Sequence, residues 1–173
     1  MILHLSASEW IDTNRPLDLS IPIINSKQSV KAWYVDDPRF EPVRANGFVG
    51  SVQEGGSVNF RDIFFNPHGH GTHTECLGHI TEEVYSINST LRTYFCKAQV
   101  ISIEPSLIEA SDGKTDRVIL PEQLEQIAIN EGIEAVIIRT LPNSVAKRTS
   151  NYSSANSPYL DKSCIAFFDS HSI

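Results

Sequence analysis

Short stretches of alternating apolar and polar residues recur through the N-terminal part of the chain, a pattern typical of β-strands. Residues 18–24 alternate up to a proline, which favours the edge of a sheet. Residues 48–53 and 58–65 carry β-branched and aromatic side chains on either side of a Gly-Gly pair, so they predict a strand, a turn and a second strand. Residues 92–103 predict one long strand, whereas residues 1–15 have no clear period and are interpreted as a surface extension.

The C-terminal part of the chain predicts one helix, over residues 121–131. Pro121 suits the first helical position, where its missing N–H costs nothing, and Gly132 suits the position just after the helix. The apolar residues recur at i, i+3 and i+4, which predicts one buried face made of Leu124, Ile127 and Ala128. Residues 133–140 are an apolar run of strand length, and a helix next to a buried strand indicates helices packed on a sheet.

The remaining segments complete the fold prediction. Residues 111–116 and 141–162 are loops by composition, the second a long surface loop, and residues 164–169 predict a final strand. Together the elements predict an α/β fold with a mixed, mostly antiparallel sheet and few helices. The length of the chain favours one domain over residues 1–173, large enough to bury a core of its own.

Charge and composition exclude several classes of partner. The chain has a formal net charge of −7 and no basic run to offset it, which argues against nucleic-acid binding. It has no apolar run long enough to cross a bilayer and no charged-then-apolar leader, so no membrane partner is expected and the expected location is the cytoplasm. An apolar fraction of 40% and a charged fraction of 20% are typical of globular proteins.

The chain has three cysteines, Cys76, Cys96 and Cys164, which are widely spaced and include no CxxC pair. This odd number does not predict a disulfide framework. Each is interpreted as a small buried apolar residue, because free cysteine is often buried. Cys76 has a second interpretation, as a soft metal ligand or an oxidation-sensitive thiol, because it lies among histidines.

Residues 66–79 contain four of the six histidines, one glutamate and no lysine or arginine; the candidate ligands are His68, His70, His73, Glu75 and His79. Imidazole and carboxylate groups are ordinary ligands of zinc and similar divalent metals. In an extended segment side chains alternate between faces, so the last three of these residues share one face and the first two share the other. Three glycines and two threonines favour extended or turning backbone over a helix. The stretch therefore predicts a metal site.

The same stretch resembles the signature His-x-Gly-Thr-His-x-Asp-x-Pro-x-His of the kynurenine formamidase and cyclase-like metal hydrolases. Residues 71–73 match its Gly-Thr-His core, Glu75 stands at the position of the aspartate, and His79 matches the last histidine. Two positions depart from the signature. Gly69 stands where the family has its first histidine, and Leu77 replaces the proline.

Other segments resemble the same family, and the resemblance spans roughly residues 17–170. Residues 18–24 resemble its Asp-Leu-Ser-x-Pro-Ile opening, and Arg139 and Thr140 match an Arg-Thr pair that ends a helix–strand unit. Trp33 matches an aromatic residue that, by this resemblance, helps to cover the substrate; a packing role in the core or on the surface is the alternative. The resemblance implies the family's swivelling β/β/α fold.

The resemblance assigns metal binding to His73 and Glu75. Gly69 has no side chain with which to bind, so a neighbouring histidine must supply the remaining ligand. A β-bulge at Gly69 would turn the chain over and bring His68 to the face of the other two, which favours His68 over His70; a simple polar turn is the alternative. Zinc is the expected ion, with manganese as the other candidate, and the extra methylene of glutamate favours one metal over two.

The resemblance implies metal-dependent hydrolysis of a small formamide, amide or cyclic ester by a metal-activated water. It assigns proton transfer to His79, since imidazole titrates near neutral pH. Family members complete their site with a downstream histidine and glutamate, and no glutamate follows Glu134 here. The chain is therefore either a domain with an incomplete site or the N-terminal part of a longer one. The alternative function is that of a non-catalytic or truncated relative, and the resemblance also implies a homo-oligomer.

Overall fold

The computed structural model describes all 173 residues, which form eleven short strands and four short helices. The strands are β1 (Ile2–His4), β2 (Trp10–Asp12), β3 (Arg39–Pro42), β4 (Arg44–Ala45), β5 (Phe48–Val49), β6 (Arg61–Phe64), β7 (Ala98–Ile103), β8 (Ser106–Glu109), β9 (Thr115–Ile119), β10 (Ala135–Thr140) and β11 (Tyr159–Leu160). The helices are α1 (Pro67–His70), α2 (Ile87–Thr90), α3 (Pro121–Glu125) and α4 (Cys164–Ser170). Three further turns of 3₁₀ helix lie at Val52–Glu54, Leu77–His79 and Val145–Thr149.

The strands form five small sheets, held together by four antiparallel pairings and two parallel ones. The antiparallel pairs are β1–β2, β3–β6, β4–β5 and β8–β9. The parallel pairs are β7–β10 and β9–β11, and β7 and β10 run in register from Ala98–Ala135 to Ile103–Thr140. The predicted α/β class, with mixed, mostly antiparallel strand pairing and few helices, is confirmed.

The apolar core is small and lies where α3 and α4 pack against β7 and β9. Its six buried members are Ile101, Ile103, Ile119, Leu124, Cys164 and Phe167. Leu124 has no exposed side-chain surface, so it is the centre of this cluster. The histidine-rich stretch lies outside this core.

Two strand predictions in the N-terminal half need correction. Residues 18–24 form no strand. Residues 48–53 and 58–65 contain the strands β5 and β6, but these do not pair with each other: β5 pairs with β4 and β6 pairs with β3. The tight hairpin turn lies instead at Asn46 and Gly47, which both have positive φ, as a two-residue type I′ turn requires.

Two predictions in the C-terminal half are also corrected. The helix predicted over residues 121–131 begins at Pro121 as expected but ends at Glu125. Beyond it the backbone bonds to the side chain of Gln99, which donates to the carbonyl of Ala128 at 2.9 Å and accepts from the N–H of Asn130 at 3.0 Å, so the helix does not continue.

The strand predicted over residues 164–169 is wrong, because this segment is the helix α4. Cys164 and Phe167 are buried at i and i+3, and Phe168 packs against the core at i+4, so a helical repeat decides the conformation. A short, fully apolar run does not distinguish this repeat from a strand.

Other boundaries shift as well. The predicted surface extension contains the β1–β2 hairpin, and the long strand predicted over residues 92–103 is ordered as a strand only from Ala98. The loop predicted over residues 111–116 is the turn of the β8–β9 hairpin, whose second strand begins at Thr115. The strand predicted over residues 133–140 is confirmed as β10.

The chain exposes a large surface for its size. Its solvent-accessible area is 13292 Å², whereas a folded monomer of 19.3 kDa has about 8,500 Å². Large apolar side chains are part of this surface, including Leu17, Val84 and Phe95, each at least four-fifths exposed. The longest helix, α4, has seven residues, so none of the helices could span a bilayer.

The three cysteines are free and differ in their environments. Cys164 is buried in the core, as predicted, and its thiol donates to the carbonyl of Ile119 at 3.3 Å. Cys96 is exposed, which contradicts the prediction that it is buried. Cys76 is half-buried, and its thiol donates to the carbonyl of Tyr85 at 3.2 Å.

Candidate metal centre

The histidine-rich stretch begins with a single turn of helix. Asn66 is in the extended conformation and its side chain accepts a hydrogen bond from the N–H of Gly69 at 3.1 Å, while Pro67 occupies the first helical position. This is a standard helix start, and the Asn-Pro pair is the sequence signal for it. The prediction of extended backbone with a bulge at Gly69 is therefore wrong for this part of the stretch.

The helical turn separates His68 from His70. Successive residues of an α-helix are rotated by about 100°, so two residues that are two positions apart lie on nearly opposite sides of the turn. His70 is only 2% exposed; its Nδ1 accepts from the N–H of Asn66 at 2.9 Å and its Nε2 lies 2.7 Å from the carbonyl oxygen of Asp36. Both ring nitrogens of His70 are thus used in packing the stretch, and His68 is left on the open side.

Gly69 is required by close packing. A Cβ built on it would lie 2.7 Å from a methyl group of Val35 and 3.2 Å from the carbonyl oxygen of Ala32. The N–H of Ala32 also donates to the carbonyl of Gly69 at 2.8 Å. The glycine at the position of the family's first histidine therefore lets the chain segment around Ala32 lie directly against α1.

The chain is extended after the helical turn, as predicted for the second half of the stretch. Gly71 has φ −166° and ψ 177°, and Cys76 has φ −133° and ψ −179°. His73 and Glu75 lie between them and point to the same side, because alternate residues of extended backbone share a face. A turn of 3₁₀ helix over Leu77–His79 then brings His79 back towards Glu75.

Three imidazoles surround one carboxylate oxygen of Glu75. Oε1 of Glu75 lies 2.5 Å from Nδ1 of His68 and 3.0 Å from Nε2 of His73. It lies 3.7 Å from Nε2 of His79. The rings of His68 and His79 are stacked with centroids 4.5 Å apart, and the ring of His68 meets that of His73 edge-on at 5.0 Å.

The geometry of His68, His73 and Glu75 fits a divalent metal. The three candidate ligand atoms, one from each residue, all lie within 4.8 Å of one another. Ligands about 2.0–2.1 Å from a tetrahedral zinc lie about 3.3 Å apart, so His68 and His73 would each move slightly away from Glu75 to admit an ion. Nδ1 of His73 is also 2.8 Å from the carbonyl oxygen of Gly71, and this bond leaves Nε2 free to face the cluster, as is usual for a metal-binding histidine.

Hydrogen bonds within the cluster change the pKa values of His73 and Glu75 in opposite directions. The hydrogen bond to the Gly71 carbonyl, followed by the bond to Glu75, raises the pKa of His73. Hydrogen bonds from His73 and His68 lower the pKa of the Glu75 carboxyl. Glu75 is thus in the carboxylate form that binds a metal, whereas His73 must give up the proton that these hydrogen bonds favour before its Nε2 can bind one.

The cluster is accessible from solvent, because the side chains of His68, His73, Glu75 and His79 are between 29% and 48% exposed. It is also tied to the segment predicted as an edge strand. The N–H of Ile21 donates to Oγ1 of Thr72 at 3.1 Å, and the side chain of Ile23 packs against Gly71. Residues 18–24 therefore support the histidine stretch from the side even though they form no strand.

Trp33 lies in the same neighbourhood, one residue after Ala32, which bonds to α1. Its side chain is 75% exposed and its φ is +57°, so it is on a turn and not in the core. The interpretation of Trp33 as a core residue is wrong. Its predicted role in covering a substrate stays a prediction.

The sequence as a whole matches a known protein family. A sequence model of the family named Cyclase and described as "Putative cyclase" matches residues 17–173, which is nearly the whole chain and includes the histidine-rich stretch. Neither the comparison with curated proteins nor that with solved structures gives a match.

Proposed function

Because the chain belongs to the Cyclase family, we propose that it is a metal-dependent hydrolase of a small formamide, amide or cyclic ester. The observation that carries the proposal is the approach of His68 and His73 to the same oxygen of Glu75, at 2.5 and 3.0 Å. Family membership confirms the resemblance on which the activity was predicted, and the cluster supplies donor atoms of the kind such chemistry requires.

In this proposal each residue of the cluster has a distinct task. His68, His73 and Glu75 hold the ion, which we propose to be zinc, with manganese as the alternative that metal analysis will distinguish. When bound, the ion supplies Lewis acidity, which acidifies water and polarises the scissile carbonyl. His79 lies at the edge of the cluster, with Nε2 at 3.7 Å from Glu75, and we assign to it the transfer of a proton to the leaving group.

Trp33 is proposed to cover the substrate. It lies on the segment that packs against α1 and it is exposed, and a large amphipathic indole can cover a small ligand. A Trp33→Ala variant is expected to raise KM more than it lowers kcat. An unchanged KM contradicts this role.

The proposed function is tested by metal analysis followed by turnover. Protein purified without an immobilised-metal step is analysed by mass spectrometry for zinc and manganese, then assayed with formanilide and with a simple lactone. Stoichiometric metal and chelator-sensitive hydrolysis support the proposal. Hydrolysis that persists at full rate in metal-free protein overturns it.

A second function is favoured by one observation: Gly69 stands where the family has its first histidine and packs against Ala32, so this position supplies no ligand. The chain would then be a non-catalytic relative that keeps the fold with an incomplete metal site. Metal binding without hydrolysis of either substrate class, or no metal binding at all, is the outcome expected for this alternative. The same two measurements therefore separate the two functions.

We also propose that the chain forms a homo-oligomer. Its accessible area exceeds that of a typical monomer of its mass by about half, and an obligate interface buries several thousand Å² of largely apolar surface. Sedimentation at several concentrations tests this, and a monomer at the highest concentration contradicts it.

The three free cysteines suit a reducing compartment, which supports a proposed location in the cytoplasm.

A further inference from the structure

A cavity of about 570 Å³ lies on the exposed face of the parallel β7–β10 pair. Its floor contains Val100 and Ile137, which are partners in the strand register and are 58% and 43% exposed. The segment that contains Leu19 forms one wall and the chain from Pro142 to Lys147 forms another. None of the four metal-site candidates lines this cavity.

Three cations line the cavity and no carboxylate does: Arg117, Arg139 and Lys147. The chain as a whole has 21 acidic residues and 14 basic ones, so a purely cationic lining runs against the overall balance. None of the three has a carboxylate within 4.0 Å, although five other lysines and arginines of the chain are paired in this way. The cavity therefore holds positive charge that the protein itself does not neutralise.

The two arginines are fixed in place with donors to spare. Nη2 of Arg117 donates to the carbonyl of Leu141 at 2.7 Å, and Nε of Arg139 donates to Oγ of Ser102 at 2.9 Å. Each guanidinium makes only this one hydrogen bond out of five N–H donors. A guanidinium that keeps four free N–H donors can bind a carboxylate through two parallel hydrogen bonds, and it loses little further side-chain freedom when it does so.

We propose that this cavity binds a small organic acid, with the carboxylate between the three cations and the apolar body on Val100 and Ile137. A free inorganic anion would leave this apolar floor uncovered, whereas an aromatic or branched acid covers it. Tyr152 and Asn143 in the wall add further hydrogen-bonding groups. The inference goes beyond the proposed hydrolysis and does not depend on it.

The cavity and the metal centre are joined by one chain segment. Leu19 lines the cavity, and two residues later the N–H of Ile21 bonds to Thr72 in the histidine stretch. Hydrolysis of an amide or a cyclic ester releases a carboxylate, so a product of the proposed reaction has the chemistry that this cavity fits.

The experiment measures binding of benzoate and of its neutral analogue benzamide to the metal-free protein, by NMR titration of the ¹⁵N-labelled chain. Benzoate is expected to bind in the millimolar range and to shift the amide signals of residues 137–147, and benzamide is expected to bind at least about fivefold more weakly. Equal affinity for the two compounds, or shifts confined to other parts of the chain, overturns the proposal. Because no metal is present, the result is independent of hydrolase activity.

Variants test the role of the cations. Lys147→Gln and Arg139→Gln are each expected to weaken benzoate binding about three- to tenfold, with benzamide unaffected. Lys147→Arg keeps the positive charge and is expected to keep the benzoate affinity of the unaltered chain. Lys27→Gln removes an exposed lysine outside the cavity and is also expected to leave this affinity unchanged. If Lys27→Gln weakens benzoate as much as Lys147→Gln does, binding follows net charge and not this site, and the proposal fails.

Discussion

Nδ1 of His68 lies 2.5 Å from Oε1 of Glu75, although the two residues are seven positions apart in the chain. A helical turn at Pro67–His70 and an extended segment after Gly71 together make this approach possible. The helical turn directs His68 outward, and the extended segment presents Glu75 on the same side as His73. The contact thus depends on a change of backbone conformation in the middle of the stretch.

The first prediction concerns His73, whose ring is oriented by the carbonyl of Gly71. His73→Ala removes one of the three ligand atoms, so we expect zinc affinity to fall at least about 100-fold, because loss of even an orienting partner costs 10–100-fold. Zinc content after dialysis and a competition titration with a chromogenic chelator measure the change. His171→Ala removes a histidine far along the chain and serves as the matched control; equal loss of zinc in both variants contradicts the assignment.

The second prediction separates His70 from the metal ligands. His70 is buried and uses both ring nitrogens, so His70→Ala leaves the N–H of Asn66 and the carbonyl of Asp36 without partners. We expect the free energy of unfolding to fall by about 1–3 kcal/mol, since each of the two lost hydrogen bonds contributes about 0.5–1.5 kcal/mol. Urea denaturation measures the loss. Zinc content of the folded variant should match that of the unaltered chain, and a metal-free but equally stable variant would reverse the roles of His68 and His70.

Much of the candidate site could be predicted from the sequence, because ligand chemistry depends on residue type and on short spacings. His73 and Glu75 share a face by simple alternation, and the structure keeps that segment extended. The sequence predicted correctly that His68 lies on the same side as His73 and Glu75, but it predicted the wrong backbone conformation. A bulge at Gly69 and a helical turn both bring His68 to the open side, and only the Asn66-Pro67 start distinguishes them.

The secondary structure was less predictable where contacts with distant parts of the chain determine the backbone conformation. The side chain of Gln99 ends α3 by bonding to the backbone of residues 128–130, and sequence periodicity contains no sign of so distant a partner. In α4 the apolar run gave no periodic contrast, so the packing of Phe167 on the core decides the conformation. Parallel pairing of β7 with β10 requires a long connection, and the β8–β9 hairpin together with α3 supplies it.

The third prediction concerns two of the three thiols, those of Cys96 and Cys164. Burial raises the pKa of Cys164, and its thiol is enclosed by the core, so it should react with Ellman's reagent only when the protein unfolds. Cys96 is exposed and should react at least about tenfold faster in the native protein. Stopped-flow absorbance with and without urea measures both rates. Cys96→Ser should remove the fast phase; a fast phase that persists in this variant and disappears in Cys164→Ser contradicts the structure.

The last prediction is the pH dependence of the Lys31–Asp37 ion pair, whose side chains are 23% and 30% exposed. The hydrogen bond from the Lys31 ammonium lowers the pKa of Asp37 below its ordinary value of 3.8. Because the folded-state pKa is lower than the unfolded one, the pair stabilises the fold above the unfolded pKa, and this contribution is lost as pH falls through the folded value.

Asp37→Asn should therefore be less stable than the unaltered chain near neutral pH, and the difference should shrink progressively as the pH falls below about 3.8. Urea denaturation from about pH 6 down to about pH 3 measures it. Asp112→Asn is the matched control, since Asp112 also bonds to a lysine but both partners are more than half exposed, so solvent screening makes its effect smaller. A difference for Asp37→Asn that is constant over the whole pH range would show that the ion pair makes no net contribution, because a purely steric effect of the amide does not titrate.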